Sequence, residues 1–460
     1  MKNLTVDLPI QPELDPGFLP AALWNRAYRK LAAASPDARP VAIAMERSNG
    51  AVSRIDAVLL PETAEHDALN FRFIERMVKF MLWAYGGSRV TVAGAPRTAA
   101  KLREVYSASG ARSFDADVMG RRIYGGGFTI LSCDYADAPP EKKLAVKLGG
   151  NFGGCRIGFD LGGSDRKCAA VIDGRTVHSE EVVWDPYFQH DVEYHRQGII
   201  DSLRRAAAKL PRVDAIGGSA AGVYVDNQPK IASLFRGIPE ADFPAKVQPI
   251  FRQIAEKEFP GVPFVVLNDG EVTALAGALS MHVDSLIGLA MGTSEAVGFV
   301  TPEGTLTDYL NELAFAPVDY REDAPVDEWS GDTGVGALYL SQQAVGRLVR
   351  PAGMEIPGGT PLPEVLRMVQ RARAEGDPRA SAIYRTVGVY LGYAVAHYAD
   401  FYPVKNLLLL GRVSSGDGGS EIIAEASRVL REVFPEIPVK FHLPDETFKR
   451  HGQAVIAASL

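Results

Sequence analysis

The chain has 460 residues, 47% hydrophobic and 23% charged, with 49 Lys+Arg against 56 Asp+Glu and a formal net charge of −7. That apolar fraction excludes extensive disorder, and the length predicts about two to four domains of roughly 100–200 residues each. A net-acidic chain without a Lys/Arg cluster argues against a nucleic-acid partner. Three cysteines, Cys133, Cys155 and Cys168, form no C-x-x-C pair, so a reducing compartment is expected rather than a disulfide scaffold. The first residues, MKNLTVDLPIQPELDPG, carry acids and prolines where a signal peptide needs an apolar core, and no apolar run approaches the ~20 residues that span a bilayer. A cytoplasmic protein with no membrane partner is the expectation.

Residues 1–148 read as an N-terminal α/β domain. Strands are predicted at 41–44, 57–60 and 90–93, and helices at 69–85 and about 98–108. The first helix carries Phe71, Ile74, Met77, Val78, Met81 and Leu82 on one face. No helix-turn-helix pattern is present, and nothing in this segment indicates its role. A boundary falls near 144–151, beyond which glycine is concentrated in GGNFGG, DLGGSD, IGGSAAG, MGTSEAVG, SGDTGVG and GRVSSGDGG.

Residues 149–284 form a first lobe, with strands at 156–160, 168–172 and 180–183, a long helix at 190–210, short strands at 213–217 and 264–267, and a helix at 271–281. Residues 285–460 restart the pattern. Strands at 286–290 and 296–300 precede helices near 338–347, 362–374 and 380–399, a strand at 407–410, a helix at 421–433, a strand at 439–443 and a helix at 452–460. A strand–turn–strand opening followed by helices and further strands occurs twice, which predicts a duplicated α/β lobe with a cleft between the copies.

Phosphate chemistry needs backbone N–H groups aimed at oxygens, little steric bulk and a carboxylate to hold a metal. The segment GFDLGGSDRK (158–167) offers all three between two strands. Asp160 can hold Mg²⁺ through water, Gly162, Gly163 and Ser164 can approach phosphates, and Lys167 adds a compact charge. The same residues also suit a plain glycine-rich hairpin with solvated charges. Gly292, Thr293 and Ser294 open the second lobe in a matching place, so the pair can clamp a triphosphate. In LNDGE (267–271), Asp269 can accept a proton from a hydroxyl and Asn268 can fix another hydroxyl, although Asn or Asp here also suits a helix cap.

The set IGFDLGGSDRK, AIGGSAAGVYVDNQPKI, VVLNDGEVTALAGAL, LIGLAMGTSEAVGFVTPEG, LLLLGRVSS and GQAVIAASL, in this order from Cys155 to the C-terminus, resembles the ROK family of the sugar-kinase, hexokinase and actin superfamily. The resemblance implies a duplicated, RNase H-like, two-lobed actin/hexokinase-type fold, here with an extra N-terminal α/β domain. It implies ATP-dependent transfer of the γ-phosphate to a sugar hydroxyl with Mg-ATP, Asp269 as general base and Asn268 as sugar contact. Asp160, Gly162, Gly163 and Ser164 match the first phosphate loop. Gly292, Thr293 and Ser294 match the second, though GTSEAVG is poorer in glycine than the family's GTGxGGG, and Gly411 with the SSGDGG after it matches the region bordering the nucleotide. Sugar and ATP are the implied partners, and a homodimer is compatible with the family.

The departures bear on the substrate. Where many ROK proteins carry E-x-G-H, this chain has Glu312-Leu-Ala-Phe315. Where they carry the zinc motif C-x-C-G-x-x-G-C and a further Glu, Ser330 and Val335 stand in place of thiolates and Ala337 in place of the acid. No zinc site is therefore expected. Two directional sugar contacts are lost, so Asn311 and Glu312, with Asn268 and Glu295 or Asp332, are the residues left to recognise a different polyol. The alternative is a non-catalytic sugar- or nucleotide-binding sensor on the same fold. His190 and His195 read as solvated or capping, and Trp184-Asp-Pro-Tyr187-Phe188 as a stacking wall or as core.

Overall fold

The computed structural model describes residues 4–143, 148–444 and 452–460. Of the boundary segment 144–151, residues 144–147 lie outside the described residues. Two compact units emerge: the first holds 4–143, 289–297 and 309–443, and the second holds 148–288, 298–308, 444 and 452–460.

The first unit opens with a sheet of β1 (Arg39–Glu46), β2 (Val52–Leu59), β3 (Arg89–Ala93) and β4 (Thr129–Cys133) in the order β2-β1-β3-β4. β1 runs antiparallel to β2 and β3, and β4 runs parallel to β3. The apolar run expected at 41–44 is the buried centre of β1. Pairing from Arg39↔Leu59 to Glu46↔Val52 carries both strands well beyond their hydrophobic letters. The helix Asp67–Tyr85 is buried on all sides from Phe73 onward rather than along one stripe, so Glu75, Arg76 and Lys79 are buried with it. An unanticipated helix, Ala21–Ala33, buries Trp24, Tyr28 and Ala32.

The segment before that helix is fastened to the helix Pro378–Tyr398. Ile10 N–H donates to the Tyr393 hydroxyl at 3.3 Å, and that hydroxyl donates back to Ile10 O at 3.1 Å. Asp15 accepts from Arg321, Arg347 and the Tyr390 hydroxyl at 2.7, 2.9 and 2.6 Å.

The second unit is built on β5 (Cys155–Leu161), β6 (Asp165–Ile172), β7 (Arg175–Val183), β8 (Ala215–Ala220) and β11 (Phe264–Asn268), in the order β11-β8-β5-β6-β7, with β9 (Val223–Val225) and β10 (Gln228–Ile231) as a separate hairpin. β5, β6 and β7 form an antiparallel meander, and β8 and β11 add in parallel beside β5. β7 is longer than the expected 180–183 because, as an edge strand with a mostly polar, partly exposed face, it carries little hydrophobic signal. The last helix, Gln453–Ala457, lies so close on the sheet that a Cβ on Gly158 would stand 1.7 Å from Ala454 O, and one on Gly217 1.7 Å from Ala457 O. Those two glycines are therefore the seat of the chain's end. Arg156 secures it by donating to Ala458 O and Leu460 O, each at 2.5 Å.

A third sheet joins β12 (Leu286–Met291), β13 (Glu295–Val300), β14 (Asn406–Leu410) and β15 (Lys440–His442) in the order β13-β12-β14-β15. Read from the other edge, β15-β14-β12-β13 repeats β11-β8-β5-β6, one strand short of the β7 edge. The duplication expected from the sequence is thus present in the strand order. No helix among the described residues is long and apolar enough to cross a membrane.

Candidate functional site

In the second unit the parallel strands β5, β8 and β11 end side by side. Asp160 pairs with Ser219 and Asn268 with Ala220, which brings Asp160, Ser219, Asn268 and Asp269 to the carboxyl edge of the sheet. That edge is where open α/β sheets bind ligands. Asp160 is 5% exposed. Ser219 Oγ donates to its Oδ1 at 2.7 Å, and Lys167 Nζ stands 4.0 Å from its Oδ2. Gln453, oriented with its amide nitrogen toward the carboxylate, donates to Oδ1 and Oδ2 at 3.2 and 3.0 Å and accepts from Thr273 Oγ1 at 2.5 Å. Burial pushes Asp160 up to about 6, against the pull of Ser219 and Lys167, and the charge of Asp269 adds to the rise. Burial likewise raises Asp269, whose Oδ1 accepts from Gly270 N–H at 3.0 Å.

Asn268 is the N-cap of the helix Asp269–Met281. Its Oδ1 accepts from Gly270 N–H at 2.7 Å and its Nδ2 donates to Gly222 O at 2.6 Å. The capping reading left open by the sequence is therefore realised, and it fixes the direction in which Asp269 leaves the strand.

The hairpin between β5 and β6 is closed by Gly162 N–H donating to Asp165 O at 2.9 Å. Trp184 holds it from behind, its indole N–H donating to Gly162 O at 2.8 Å. A Cβ on Gly163 would stand 2.1 Å from the Tyr187 hydroxyl, so Gly163 is glycine because Tyr187 lies against it. Ser164 Oγ donates to Asp165 Oδ2 at 2.9 Å, and Lys167 Nζ pairs with Asp165 Oδ1 at 2.8 Å. The Trp184–Phe188 stretch is thus both core, at buried Trp184, and a wall on the loop, at Tyr187. The two histidines divide: His190 is exposed, in keeping with expectation, and His195 departs from it. His195 is fully buried, its Nε2 shared by Pro186 O and Leu234 O at 3.1 and 2.9 Å, because the helix Val192–Ala207 turns it inward rather than to solvent.

In the first unit, Gly292, Thr293 and Ser294 make the turn from β12 to β13, with Gly292 N–H donating to Ser294 O at 3.0 Å. Thr293 and Ser294 are exposed. Gly411, at φ +92°, closes on β12: a Cβ there would meet Met291 O at 2.5 Å, and Val413 N–H donates to that oxygen at 3.1 Å. Gly411 and the 292–294 turn are therefore brought together. Part of the glycine run after Gly411 belongs to a helix that starts at Asp417 rather than 421.

Asn311 and Glu312 hang from the end of the helix Asp67–Tyr85: their N–H groups donate to Ala84 O and Trp83 O at 2.9 and 2.8 Å. Asn311 is buried at φ 54°, and its Oδ1 accepts from the Tyr402 hydroxyl at 3.0 Å. Phe315 enters an aromatic stack with Trp83 and Trp329 at centroid distances of 4.4 and 5.8 Å. Glu295 is buried beside these residues. Tyr398 OH donates to its Oε1 at 2.9 Å, Oε2 has no hydrogen-bond partner among the described residues, and burial, with the Glu312 charge adding, pushes it up to about 8.

Asp332, a sequence candidate for polyol recognition, is engaged in a buried ion cluster. It is 2% exposed and pairs with Arg112, Arg76 and Lys79 at 2.6, 3.2 and 3.3 Å. Burial opposes its charge, but those cations hold it well below the usual carboxylate range. Two residues at these sites lie in motifs that carry the resemblance but were assigned no role from the sequence. Ser219 is a single letter in a small-residue run, and Gln453 meets Asp160 only through the seating of the last helix on Gly158.

No group of three or more His, Cys, Asp or Glu side chains that could cage a metal is present among the described residues. Asp160 alone fits a cation that keeps most of its waters and binds through one or two carboxylates and the substrate's phosphates, as Mg²⁺ does. Its buried, raised carboxyl is oriented by Ser219 and Gln453, and a cation would relieve its burial.

No protein-family model and no curated protein matches the sequence. Solved structures do match. A ROK hexokinase from Thermus thermophilus superposes with TM-score 0.50 at 19% identity over 66% of this chain and 96% of its own. A ROK-family transcriptional regulator, a homologue of the E. coli MLC protein, superposes with TM-score 0.52 at 21% identity over 67% of this chain and 79% of its own. Two-thirds of the chain therefore has the ROK, actin/hexokinase-type fold.

Proposed function

We propose that the protein is a carbohydrate kinase that transfers the γ-phosphoryl group of Mg-ATP to a sugar or polyol hydroxyl. The observation that carries this reading is the carboxyl edge of β5, β8 and β11, with two desolvated carboxyls, Asp160 on β5 and Asp269 just past the end of β11, two strands separated by β8. Environments that keep two carboxyls distinct suit a division of labour between metal holder and base. Asp269, at the helix start that Asn268 caps, takes the proton of the attacking hydroxyl. Asp160, steadied by Ser219 and Gln453, holds Mg²⁺ through water, and the ion supplies charge neutralisation at the transferring phosphoryl group. The 162–164 and 292–294 turns cradle phosphate, with Gly411 bordering the nucleotide, and Asn311 and Glu312 bind the sugar. Residues 149–284 and 285–460 form the two lobes of the kinase in this reading.

ADP release with Mg-ATP across hexoses, amino sugars, N-acetyl sugars and polyols tests it. Asp269→Asn is expected to cut turnover by about 10²- to 10⁴-fold while ATP still binds. A loss of less than tenfold removes Asp269 from the role of base.

A second reading, a sugar- or nucleotide-binding sensor, is favoured by the 292–298 turn. There Glu295 is a buried acid, and Ser294, Ala296 and Val297 stand where the resembling family has glycines. Binding without ADP formation across the whole panel supports this reading.

A further inference from the structure

We infer that Arg236 is an anion-binding residue for the phosphates of the nucleotide, presented to the 162–164 loop on a platform of Tyr187 and Phe188. This inference rests on the nucleotide reading above. The guanidinium carbon of Arg236 lies 4.0 Å from the centroid of the Tyr187 ring and 5.2 Å from that of Phe188. The hydroxyl end of the same Tyr187 lies against Gly163, so a single tyrosine ring spans from the guanidinium to the loop backbone. Stacking engages the face of a guanidinium and leaves its in-plane N–H donors available, the form in which arginine recognises phosphate.

Three further observations support the assignment. Arg236 is exposed, and among the described residues no carboxylate pairs with it. The loop's own cation, Lys167, is already paired with Asp165 at 2.8 Å and faces Asp160 at 4.0 Å. The neighbouring cation Arg166 is likewise paired, with Asp201 at 2.5 Å, so both cations beside the loop are already engaged. The backbone on either side of Arg236 is also fixed. Phe235 is 1% exposed in the core, and a Cβ on Gly237 would meet Gln189 O at 2.3 Å, while His190 Nδ1 bonds Gly237 O at 2.7 Å. The backbone that carries the charge is therefore fixed before a ligand arrives, and Tyr187 and Phe188 support the guanidinium, which lowers the ordering cost of binding.

The test is calorimetric titration of the full chain with ATP, with inorganic tripolyphosphate and with adenosine, for wild type, Arg236→Gln and Arg236→Lys. Arg236→Gln is expected to weaken ATP and tripolyphosphate by about 10- to 100-fold and to leave adenosine within about twofold, with Arg236→Lys between the two. Unchanged affinities in Arg236→Gln overturn the inference and leave the kinase reading standing. Arg236→Lys as weak as Arg236→Gln denies a role to the charge and also overturns it. Arg236-dependent binding of tripolyphosphate by a protein that does not bind ATP upholds the anion site and overturns the nucleotide reading. A wild type that binds neither ATP nor tripolyphosphate overturns both.

Discussion

Replacing Glu295 by Gln should flatten the pH dependence of stability of the first unit. The folded-state carboxyl sits at about 8, against an ordinary value of 4.5, because it is buried and Glu312 is near, against the pull of the Tyr398 hydroxyl that donates to it. Its Oε2 lies against Gly336, where a Cβ would stand 2.1 Å from it. A carboxyl raised by folding binds its proton more tightly in the native state. The stability linked to that proton is complete below the unfolded value and is lost as pH rises through 8. The slope is about 1.4 kcal/mol per pH unit while the folded chain holds one more proton than the unfolded one. Between about pH 5.5 and about pH 8 the wild type should therefore lose about 3 kcal/mol that Glu295→Gln, neutral throughout, does not. Hydrogen exchange of amides in β13 and in the helix Pro378–Tyr398, with the two proteins compared at each pH, measures this without assuming one global transition. A wild-type-minus-variant difference that stays constant across that range refutes the reasoning.

Two other substitutions probe the packing. Asp332→Asn keeps the side-chain volume and the acceptor for Thr333 N–H but leaves Arg76, Lys79 and Arg112 with one carboxylate fewer; it should cost about 3–5 kcal/mol, read from the urea midpoint of the first unit, and a loss below about 1 kcal/mol would deny the cluster its structural part. Gly158→Ala places a Cβ against the backbone of Ala454, an atom that yields only if the last helix moves; thermal unfolding should report about 1–3 kcal/mol of destabilisation, and an unchanged midpoint would mean that the helix is not seated there.

The duplicated fold was legible because each lobe opens with the same pattern: an apolar strand, a glycine turn and a second strand. Asp160 and Asp269 were legible as acids at strand ends. Their surroundings were not, since these depend on contacts between distant segments. Asp332 reads as a candidate polyol contact, yet it is paired with Arg76, 256 residues away. Gln453 belongs to the GQAVIAASL motif without a role assigned from sequence, and its contact with Asp160 follows from two glycines, in β5 and β8, that admit the last helix. The helix Asp67–Tyr85 was read as amphipathic because its charged residues look solvent-facing; burial on every side became tolerable only once Glu75 and Arg76 paired with each other and Lys79 with Asp115.

That helix also explains why residues 4–143 share a unit with 309–443. Glu75, Asp115 and Asp332 face Arg76, Lys79 and Arg112, three negative charges against three positive, all buried or largely so. Burial opposes the charge on Glu75, yet Arg76 and Arg112 hold it at about 2, so Glu75 stays ionised at neutral pH. In the family that the sequence resembles, thiolates within the corresponding loop would gather it around zinc and could hold it locally. Here Ser330 is held by Asp327, its N–H and hydroxyl both donating to Oδ2 at 2.7 Å, while Asp332 is held by cations from outside the loop. An ion cluster of this kind fixes the loop only if the helix supplying the cations is itself in place. The same helix anchors the N–H groups of Asn311 and Glu312 through Ala84 O and Trp83 O. The residues proposed to hold the sugar therefore depend on the N-terminal region for their position, and a fragment beginning after it would retain their sequence without their support.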